Sequence, residues 1–201
     1  PTVSGDFLQK WIDEDYYGYN PEKAKELMAE AGYPNGGFEV TLMYQNSTTA
    51  TAGLTVLQAY LADIGIKVNL MPCDQALFNS YKYDDTKWDI IVDSKATSDF
   101  ATAVWENCFD TKAFENGSAC FTHDEKLQEL LEAAASSATH SEETMDAFHQ
   151  YLKDQAYGIG MFEYQTFYVF QSGVTEVPQD GFGNISVSAL GISDDYQSLA
   201  K

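Results

Sequence analysis

Apolar residues in the first half of the chain recur with two alternating spacings. Where they fall three or four positions apart they predict helices, and where they fall at every second position they predict strands. The predicted helices cover residues 21–31, 50–64 and 75–81. The predicted strands cover residues 38–44, 66–71 and 88–92, the last being an apolar run typical of buried parallel strands. Strand, helix and strand in this order form βαβ units, whose strands are parallel and whose crossover is right-handed.

Residues that favour helix ends stand at the borders of these segments. Asn20 is a good N-cap, Pro21 suits the first helical position, and Gly32 ends the first helix. Gly65 stops the second helix, and Asp74 can cap the third. The local chemistry therefore supports the helices that the apolar spacing predicts.

The second half of the chain predicts a different arrangement. Thr122 and Glu125 form a candidate capping box, and Ser141 can cap the following helix, so two helices with a short polar joint predict a helical hairpin. The aromatic stretch 158–170 predicts a strand pair or one bent strand, and a last strand is expected within 185–190. The whole pattern predicts an α/β fold: a mostly parallel sheet of βαβ units with flanking helices and a helical hairpin.

The charge balance narrows the range of partners. The chain has 201 residues, of which 11 are Lys or Arg and 31 are Asp or Glu, giving a formal net charge of −20. Such a field repels phosphate backbones and anionic membrane surfaces, so nucleic acid is not expected as a partner. The acids either serve solubility or favour cationic and amine-bearing ligands, and composition leaves both open. No run of 18 apolar residues predicts a transmembrane helix.

Three cysteines are present, and none forms a Cys-x-x-Cys motif. A disulfide between Cys108 and Cys120 would close a short polar loop and would stabilise the fold by about 3 kcal/mol in an oxidising compartment. Three unpaired thiols are the alternative. With the bridge in place, Cys73 is expected to be a buried apolar residue.

Motifs for catalysis are absent from the sequence: there is no nucleophile elbow, zinc-protease helix or phosphate-binding loop. His123, His140 and His149 lack metal-ligand spacing, and we expect surface or capping roles for them. Acidic pairs at 84–85 and 142–143 could in principle serve a glycosidase, but charge runs usually face solvent. We therefore predict no catalytic residue, no metal site and no cofactor.

Polar side chains follow each of the three predicted strands. Because ligands of parallel α/β sheets bind outside the carboxyl ends of the strands, these segments form the candidate site. Amides, hydroxyls, one carboxylate and aromatic rings suit a polar organic ligand. The candidate ligand-binding residues are Tyr44, Asn46, Ser94, Thr97, Asp99 and Phe100.

Several segments resemble family 5 solute-binding proteins of ABC importers. Residues 19–34 read YNPEKAKELMAEAGYP and resemble the family pattern Y-[DN]-P-x-K-A-[KR]-x-L-L-x-E-A-G-[YW]-P. Residues 57–68 resemble the pattern x-Q-x-x-L-x-x-I-G-I-x-V, Trp88-Asp89 resembles the family's [FW]-D strand, and residues 121–131 resemble a further motif. The cysteine pair also lies where some dipeptide-binding members carry one. The resemblance covers residues 15–174.

The resemblance implies a non-enzymatic, two-lobed receptor that closes on its ligand and delivers it to an ABC permease. Residues 1–174 would be its C-terminal α/β lobe, and residues 175–201 a segment that returns toward an N-terminal lobe missing from this chain. The resemblance also implies an extracytoplasmic location, with a lipid anchor on the missing N-terminal part as the membrane attachment.

One departure from the family pattern bears on the ligand. Peptide-binding members carry an Asp that pairs with the α-amine of the peptide, and Asp99 is the matching candidate, although the proline and the glycine-tryptophan that accompany this Asp in the family are absent. Asp99 either binds an amine or caps a helix, and both remain open. The expected ligand is a peptide or another small polar or amine-bearing solute. The alternatives are a sensor or adhesion module on the same fold and a carbohydrate hydrolase that uses paired carboxylates.

Overall fold

The structure is a computed structural model that describes residues 10–11, 13–14, 16–84, 86–94, 101–112, 124–161, 168–179 and 185–193. In chain order the elements are α1 (Pro21–Glu30), β1 (Phe38–Gln45), α2 (Thr48–Asp63), β2 (Ile66–Cys73), α3 (Gln75–Tyr81), β3 (Ile90–Val92), α4 (Ala101–Phe109), α5 (Glu125–Ala135), α6 (Glu142–Asp154), β4 (Val174–Glu176) and β5 (Gly191–Ile192). The α/β fold predicted from the sequence is confirmed. No helix within the described ranges is both long and apolar enough to span a membrane.

The principal sheet has the strand order β2-β1-β3, and all its described pairings are parallel. Phe38 lies beside Ile66 at one end of the β1–β2 ladder, and Gln45 lies beside Cys73 at the other. The strand β3 pairs only with the carboxyl half of β1, where Val92 lies beside Tyr44. The carboxyl ends of all three strands therefore meet at one edge.

The alternation of side chains along β1 sends two apolar groups to opposite faces of this sheet. Leu42 and Tyr44 pack with Leu54 of α2 and Val68 of β2. Met43, on the other face, packs with Cys73 and with Phe78 of α3. The expected burial of Cys73 is confirmed, and its apolar surroundings raise the pKa of its thiol.

Helix ends follow the local chemistry that the sequence contains. The side chains of Asn20 and Asp74 accept backbone N–H groups of α1 and α3, and Ser141 forms a capping box with Thr144 at the start of α6. One expectation was wrong: the N-cap of α5 is Asp124, whose carboxylate accepts the N–H groups of Lys126 and Leu127, and Thr122 lies outside the described residues. A carboxylate immediately before the helix can accept two of the backbone N–H groups that lack a partner within the helix.

The predicted helical hairpin forms a second core. Leu127 and Leu131 of α5 pack against Phe148 of α6, and all three side chains are essentially inaccessible. Trp105 of α4 lies against this cluster, with its ring centroid 4.7 Å from that of Phe148. Described residues that precede α1 also contact α6: Trp11 stacks on His149 with centroids 4.4 Å apart. His149 is therefore half-buried beside the rings of Trp11 and Trp105, which corrects the expected surface position.

Two strand predictions require correction. The third strand is shorter than expected and lies at the edge of the described sheet, and Ile90 is 39% exposed because β3 has a described neighbour on one side only. The last described strand is Gly191–Ile192, antiparallel to β4, whereas residues 187–189 form a 3-10 turn. The strand expected within 158–170 stays a prediction: residues 158–161 and 168–170 are not in a strand, and residues 162–167 lie outside the described residues.

The predicted disulfide remains a prediction. Cys108 lies half-buried in α4, and Cys120 lies outside the described residues.

Candidate functional site

The carboxyl edge of the sheet is where the sequence places a ligand, and the structure brings three of its segments together there. The backbone N–H of Asn46 donates to the carbonyl oxygen of Cys73 at 2.8 Å, which continues the ladder one step beyond β1 and β2. Asp93 and Ser94 follow directly after β3. The edge therefore displays Asn46 at its centre and Ser94 on one side, and both are exposed.

Tyr44 occupies a different position from the one expected of a ligand contact. Only 1% of its surface is exposed, because residue 44 points to the face of the sheet that α2 covers. Its hydroxyl lies 3.2 Å from Thr51 Oγ1, and that oxygen in turn donates to Asn46 Oδ1 at 3.4 Å. Tyr44 thus has a structural role at the edge: its ring packs in the core, and its hydroxyl contacts Thr51, which in turn contacts Asn46.

A row of side-chain amides crosses the edge from β1 to α3. Gln45 Nε2 donates to Gln75 Oε1, and Gln75 Nε2 donates to Asn79 Oδ1 at 3.0 Å. The three side chains are exposed. Sequence reasoning missed Gln75 and Asn79, although their i,i+4 spacing at the start of a helix that follows a strand end could have suggested them.

The end of β3 carries an ion pair. Lys82 Nζ lies 2.8 Å from Asp93 Oδ2, and the two side chains are 17% and 18% exposed. Asp93 Oδ1 accepts the backbone N–H of Ser94 at 2.9 Å, which fixes the first turn after the strand. Asp74, which follows β2, accepts the N–H of Leu77 as the cap of α3. Both acids that follow the described strand ends therefore have partners within the protein.

The remaining candidates, Thr97, Asp99 and Phe100, lie outside the described residues. Their contact with a ligand, and the choice between amine binding and helix capping for Asp99, stay predictions.

Two of the residues considered for catalysis, Asp84 and His140, have hydrogen-bond partners away from the strand ends. Asp84 accepts hydrogen bonds from the side chain and backbone of Thr86, which lower the pKa of its carboxyl group. The ring nitrogen Nδ1 of His140 lies 2.8 Å from the carbonyl oxygen of Ala134, near the end of α5. Within the described ranges no three His, Cys, Asp or Glu side chains are grouped as metal ligands would be.

A second concavity lies away from the strand ends, between the first described residues and α6. Asp146 on its wall accepts a hydrogen bond from Trp11 Nε1 at 3.0 Å and pairs with Lys10, and the lysine lowers the pKa of the Asp146 carboxyl group. These contacts attach Lys10 and Trp11 to α6, so the groove is the boundary between two packed parts of the chain. It is lined by Lys10, Trp11, Glu14, Glu142, Glu143, Asp146, Ala147 and Gln150.

Comparison with known proteins adds to this geometry. Residues 1–114 match the family described as bacterial extracellular solute-binding proteins, family 5, middle part. A protein of Brucella ovis named as an ABC transporter peptide-binding protein is 38% identical over 72 residues, covering 34% of this chain and 14% of the relative. The glutathione-binding protein GsiB of Escherichia coli is 47% identical over 57 residues, covering 28% of this chain and 11% of the relative.

The fold is also found among solved structures. The dipeptide-binding protein of a Pseudoalteromonas species, in complex with Met-Leu, superimposes with a TM-score of 0.62 at 17% identity. The match covers 87% of this chain and 36% of that protein. The chain therefore spans about a third of the length of this structural relative, and its aligned part spans a smaller share of the curated relatives.

Proposed function

Because the chain belongs to the bacterial extracellular solute-binding proteins of family 5, we propose that it forms one lobe of the substrate-capture protein of an ABC importer. The proposed ligand is a peptide or another small polar or amine-bearing solute, held at the carboxyl edge of the principal sheet. In this proposal residues 1–174 form the α/β lobe, and residues 175–201 run toward a second lobe that closes over the ligand.

The observation that carries the proposal is the carboxyl edge itself. Three parallel strands end together, and exposed amides and hydroxyls stand at that edge: Gln45, Asn46, Gln75 and Ser94. Ligands of parallel sheets bind at this edge, and hydrogen-bonding groups of both kinds can pair with peptide N–H and C=O groups. The names of the relatives, a peptide-binding and a glutathione-binding protein, favour the same class of ligand.

The edge supplies only part of an enclosing surface. A small-molecule site buries most of its ligand, whereas Asn46 and Ser94 are exposed here. Closure of a second lobe by hinge motion would bury them. We therefore propose that binding energy arises from both lobes, that the complete protein works outside the cytoplasm with a lipid anchor as its membrane attachment, and that an ABC permease receives the ligand.

Calorimetry on the complete protein tests the proposal. The panel should contain dipeptides to hexapeptides, glutathione and an uncharged oligosaccharide of similar size. We expect saturable binding of at least one peptide, with a dissociation constant in the micromolar range or below, and weaker binding when Asn46 is changed to Ala. Lack of any peptide binding by a folded protein, or equal affinity of the Asn46→Ala variant for every ligand bound, would contradict the proposed site.

The same samples separate binding from catalysis. A capture protein returns its ligand chemically unchanged, so chromatography after a long incubation should recover each peptide and oligosaccharide intact. Cleavage of the oligosaccharide would instead support the hydrolase alternative.

A further inference from the structure

The row of side-chain amides extends the carboxyl edge toward α3. Gln45 ends β1, and the alternation along the strand directs its side chain to the face of the sheet that α3 covers. Gln75 is the first residue of α3, and Asn79 lies one turn later on the same side of that helix. Asn46 contacts α2 instead, through Thr51. The row and Asn46 therefore stand on opposite sides of the same edge.

The row holds its middle residue from both ends. Gln75 Oε1 accepts a hydrogen bond from Gln45 Nε2, and Gln75 Nε2 donates to Asn79 Oδ1 at 3.0 Å. A carboxamide offers two N–H donors and an oxygen with two lone pairs, so the bonds of the row leave one donor and one acceptor position of Gln75 outside it. The Gln75 carboxamide is therefore oriented before a ligand arrives.

The row contributes little to folding by itself. Its three side chains are exposed, and water can satisfy an exposed amide almost as well as another amide can. Ordering three flexible side chains also costs conformational entropy. For a ligand the same order is an advantage, because groups that are already oriented lose less freedom on binding.

We propose that Gln45, Gln75 and Asn79 form a hydrogen-bonding subsite for one main-chain peptide group of the ligand. Gln75 touches the ligand: its oxygen accepts the peptide N–H, and its N–H donates to the peptide carbonyl oxygen. Gln45 and Asn79 are positioning residues that orient the Gln75 carboxamide. A peptide group fits because it presents one donor and one acceptor, whereas an ammonium group presents donors alone and a carboxylate acceptors alone. This inference rests on the proposed function and specifies how its ligand is bound.

Ligands that lack one peptide N–H test the subsite on the complete protein. The probes are tetra-alanine and its three analogues with a single N-methylated peptide nitrogen, and the corresponding series of the tightest-binding panel peptide if tetra-alanine does not bind. In the wild type, calorimetry should show at least one analogue that binds about tenfold more weakly than its parent. Gln75→Met keeps the length of the side chain and removes its hydrogen bonds. In this variant the parent should bind about fivefold more weakly, and the same analogue should lose less than about twofold further.

A matched control separates ligand binding from folding. Gln150 makes the same kind of contact within α6, in the second core: its Nε2 donates to Asp154 Oδ1 at 2.7 Å, four residues later, and its side chain is exposed. Gln75→Met and Gln150→Met should each move the melting temperature by less than about 2 °C. Gln150→Met should keep the wild-type affinity for every probe.

The positioning role of Asn79 has a test of its own. Asn79→Ala removes the acceptor of Gln75 Nε2, so the loss of affinity caused by N-methylation should fall from about tenfold to about threefold. Asn79→Asp keeps an oxygen that accepts this N–H and should therefore keep the wild-type loss. A merely structural role of Asn79 would alter stability and leave the effect of N-methylation unchanged.

The outcomes separate the subsite from the proposed function. If each N-methyl group costs the same affinity in the wild type and in Gln75→Met, the row is a surface contact and the inference is wrong. It is also wrong if Gln75→Met weakens only peptides with Asn or Gln side chains, because the row would then bind a side-chain amide. If the folded wild type binds no peptide of the panel, the proposed function fails and the inference fails with it. Should Gln75→Met not fold, Asn79→Ala and Asn79→Asp still decide the question, because one must reduce the effect of N-methylation and the other must not.

Discussion

Replacing Tyr44 distinguishes a core role from a ligand-contact role, because its ring and its hydroxyl have different surroundings. The ring is 1% exposed among Leu42, Leu54 and Val68, and the hydroxyl lies 3.2 Å from Thr51 Oγ1. Truncating a buried aromatic side chain costs about 3–5 kcal/mol, so Tyr44→Ala should lower the free energy of unfolding by that amount. The hydroxyl contact is long for two hydroxyl groups, so Tyr44→Phe should cost only about 0.5–1 kcal/mol.

A double-mutant cycle with Thr51→Val isolates the hydroxyl contact. Urea unfolding of the wild type, Tyr44→Phe, Thr51→Val and the double variant should give a coupling energy of up to about 1 kcal/mol. Peptide affinity of Tyr44→Phe, measured by calorimetry, should stay within about twofold of the wild type, since the group removed faces the protein interior.

The opposite pattern would refute this reasoning. A Tyr44→Phe variant that keeps its stability and loses about tenfold in peptide affinity, which corresponds to about 1.4 kcal/mol, would make the hydroxyl a direct ligand contact. A cost below about 1 kcal/mol for Tyr44→Ala would show that the ring is not part of the core. The effect of Thr51→Val on affinity is informative as well, because Thr51 also holds the Asn46 amide.

Three further changes test the fold by urea or thermal unfolding. Gly65→Ala should lower the free energy of unfolding by more than about 1 kcal/mol, because Gly65 has a φ of +85° and an added Cβ would lie 2.7 Å from a backbone atom. The control Gly53→Ala lies inside α2 with open space around it and should raise the free energy of unfolding by up to about 1 kcal/mol. Phe148→Ala should cost about 3–5 kcal/mol and the exposed Glu143→Gln less than about 0.5 kcal/mol; similar values for both would contradict the hairpin core. Burial, and to a smaller extent the neighbouring Lys153, holds the pKa of His149 below its ordinary value of 6.5. Folding therefore favours the neutral imidazole. The stability that His149 contributes is present above pH 6.5 and is lost as the pH falls through the folded-state pKa. His149→Phe should therefore flatten the fall in melting temperature between pH 7 and pH 5, and an unchanged slope would assign that fall to other groups.

The parts of the fold that the sequence predicts well are those decided by neighbouring residues. Asn20, Asp74 and Ser141 cap the helices expected of them, since a short polar side chain and the N–H groups it satisfies lie within three residues of each other. The burial of Tyr44 can also be predicted from the sequence. It continues the alternation of Val40 and Leu42 along β1, and period two places the three residues on the same face.

Contacts between separate elements could not be derived in this way. The pairing of Lys82 with Asp93 depends on where α3 ends relative to β3, and the row from Gln45 to Gln75 depends on how α3 leaves the edge. The helix α1 shows the same limit: its apolar spacing predicts a face that includes Leu27, yet Leu27 is 52% exposed, because no described element covers that side. Spacing specifies which side of a helix is apolar and leaves open what covers it.

The residues that carry the family resemblance have structural tasks where the structure describes them. The carboxylate of Asp89 accepts the N–H of Thr41 at 2.7 Å, its own N–H donates to the Thr41 carbonyl oxygen, and Trp88 Nε1 donates to the carbonyl oxygen of Tyr81. These contacts attach β3 to β1 and to α3 before the ladder begins. Gly65 likewise allows the backbone at 36–37 to approach, since its carbonyl oxygen accepts the N–H of Gly37. Motif residues that build the scaffold can be shared by receptors for unlike solutes, so the difference between ligands must lie in residues outside the motifs. At the described edge the exposed residues Asn46 and Gln75 lie outside these motifs. If the proposed site is correct, substitutions of these two residues should change which peptide binds and leave the melting temperature nearly unchanged, whereas substitutions of Asp89 should lower it.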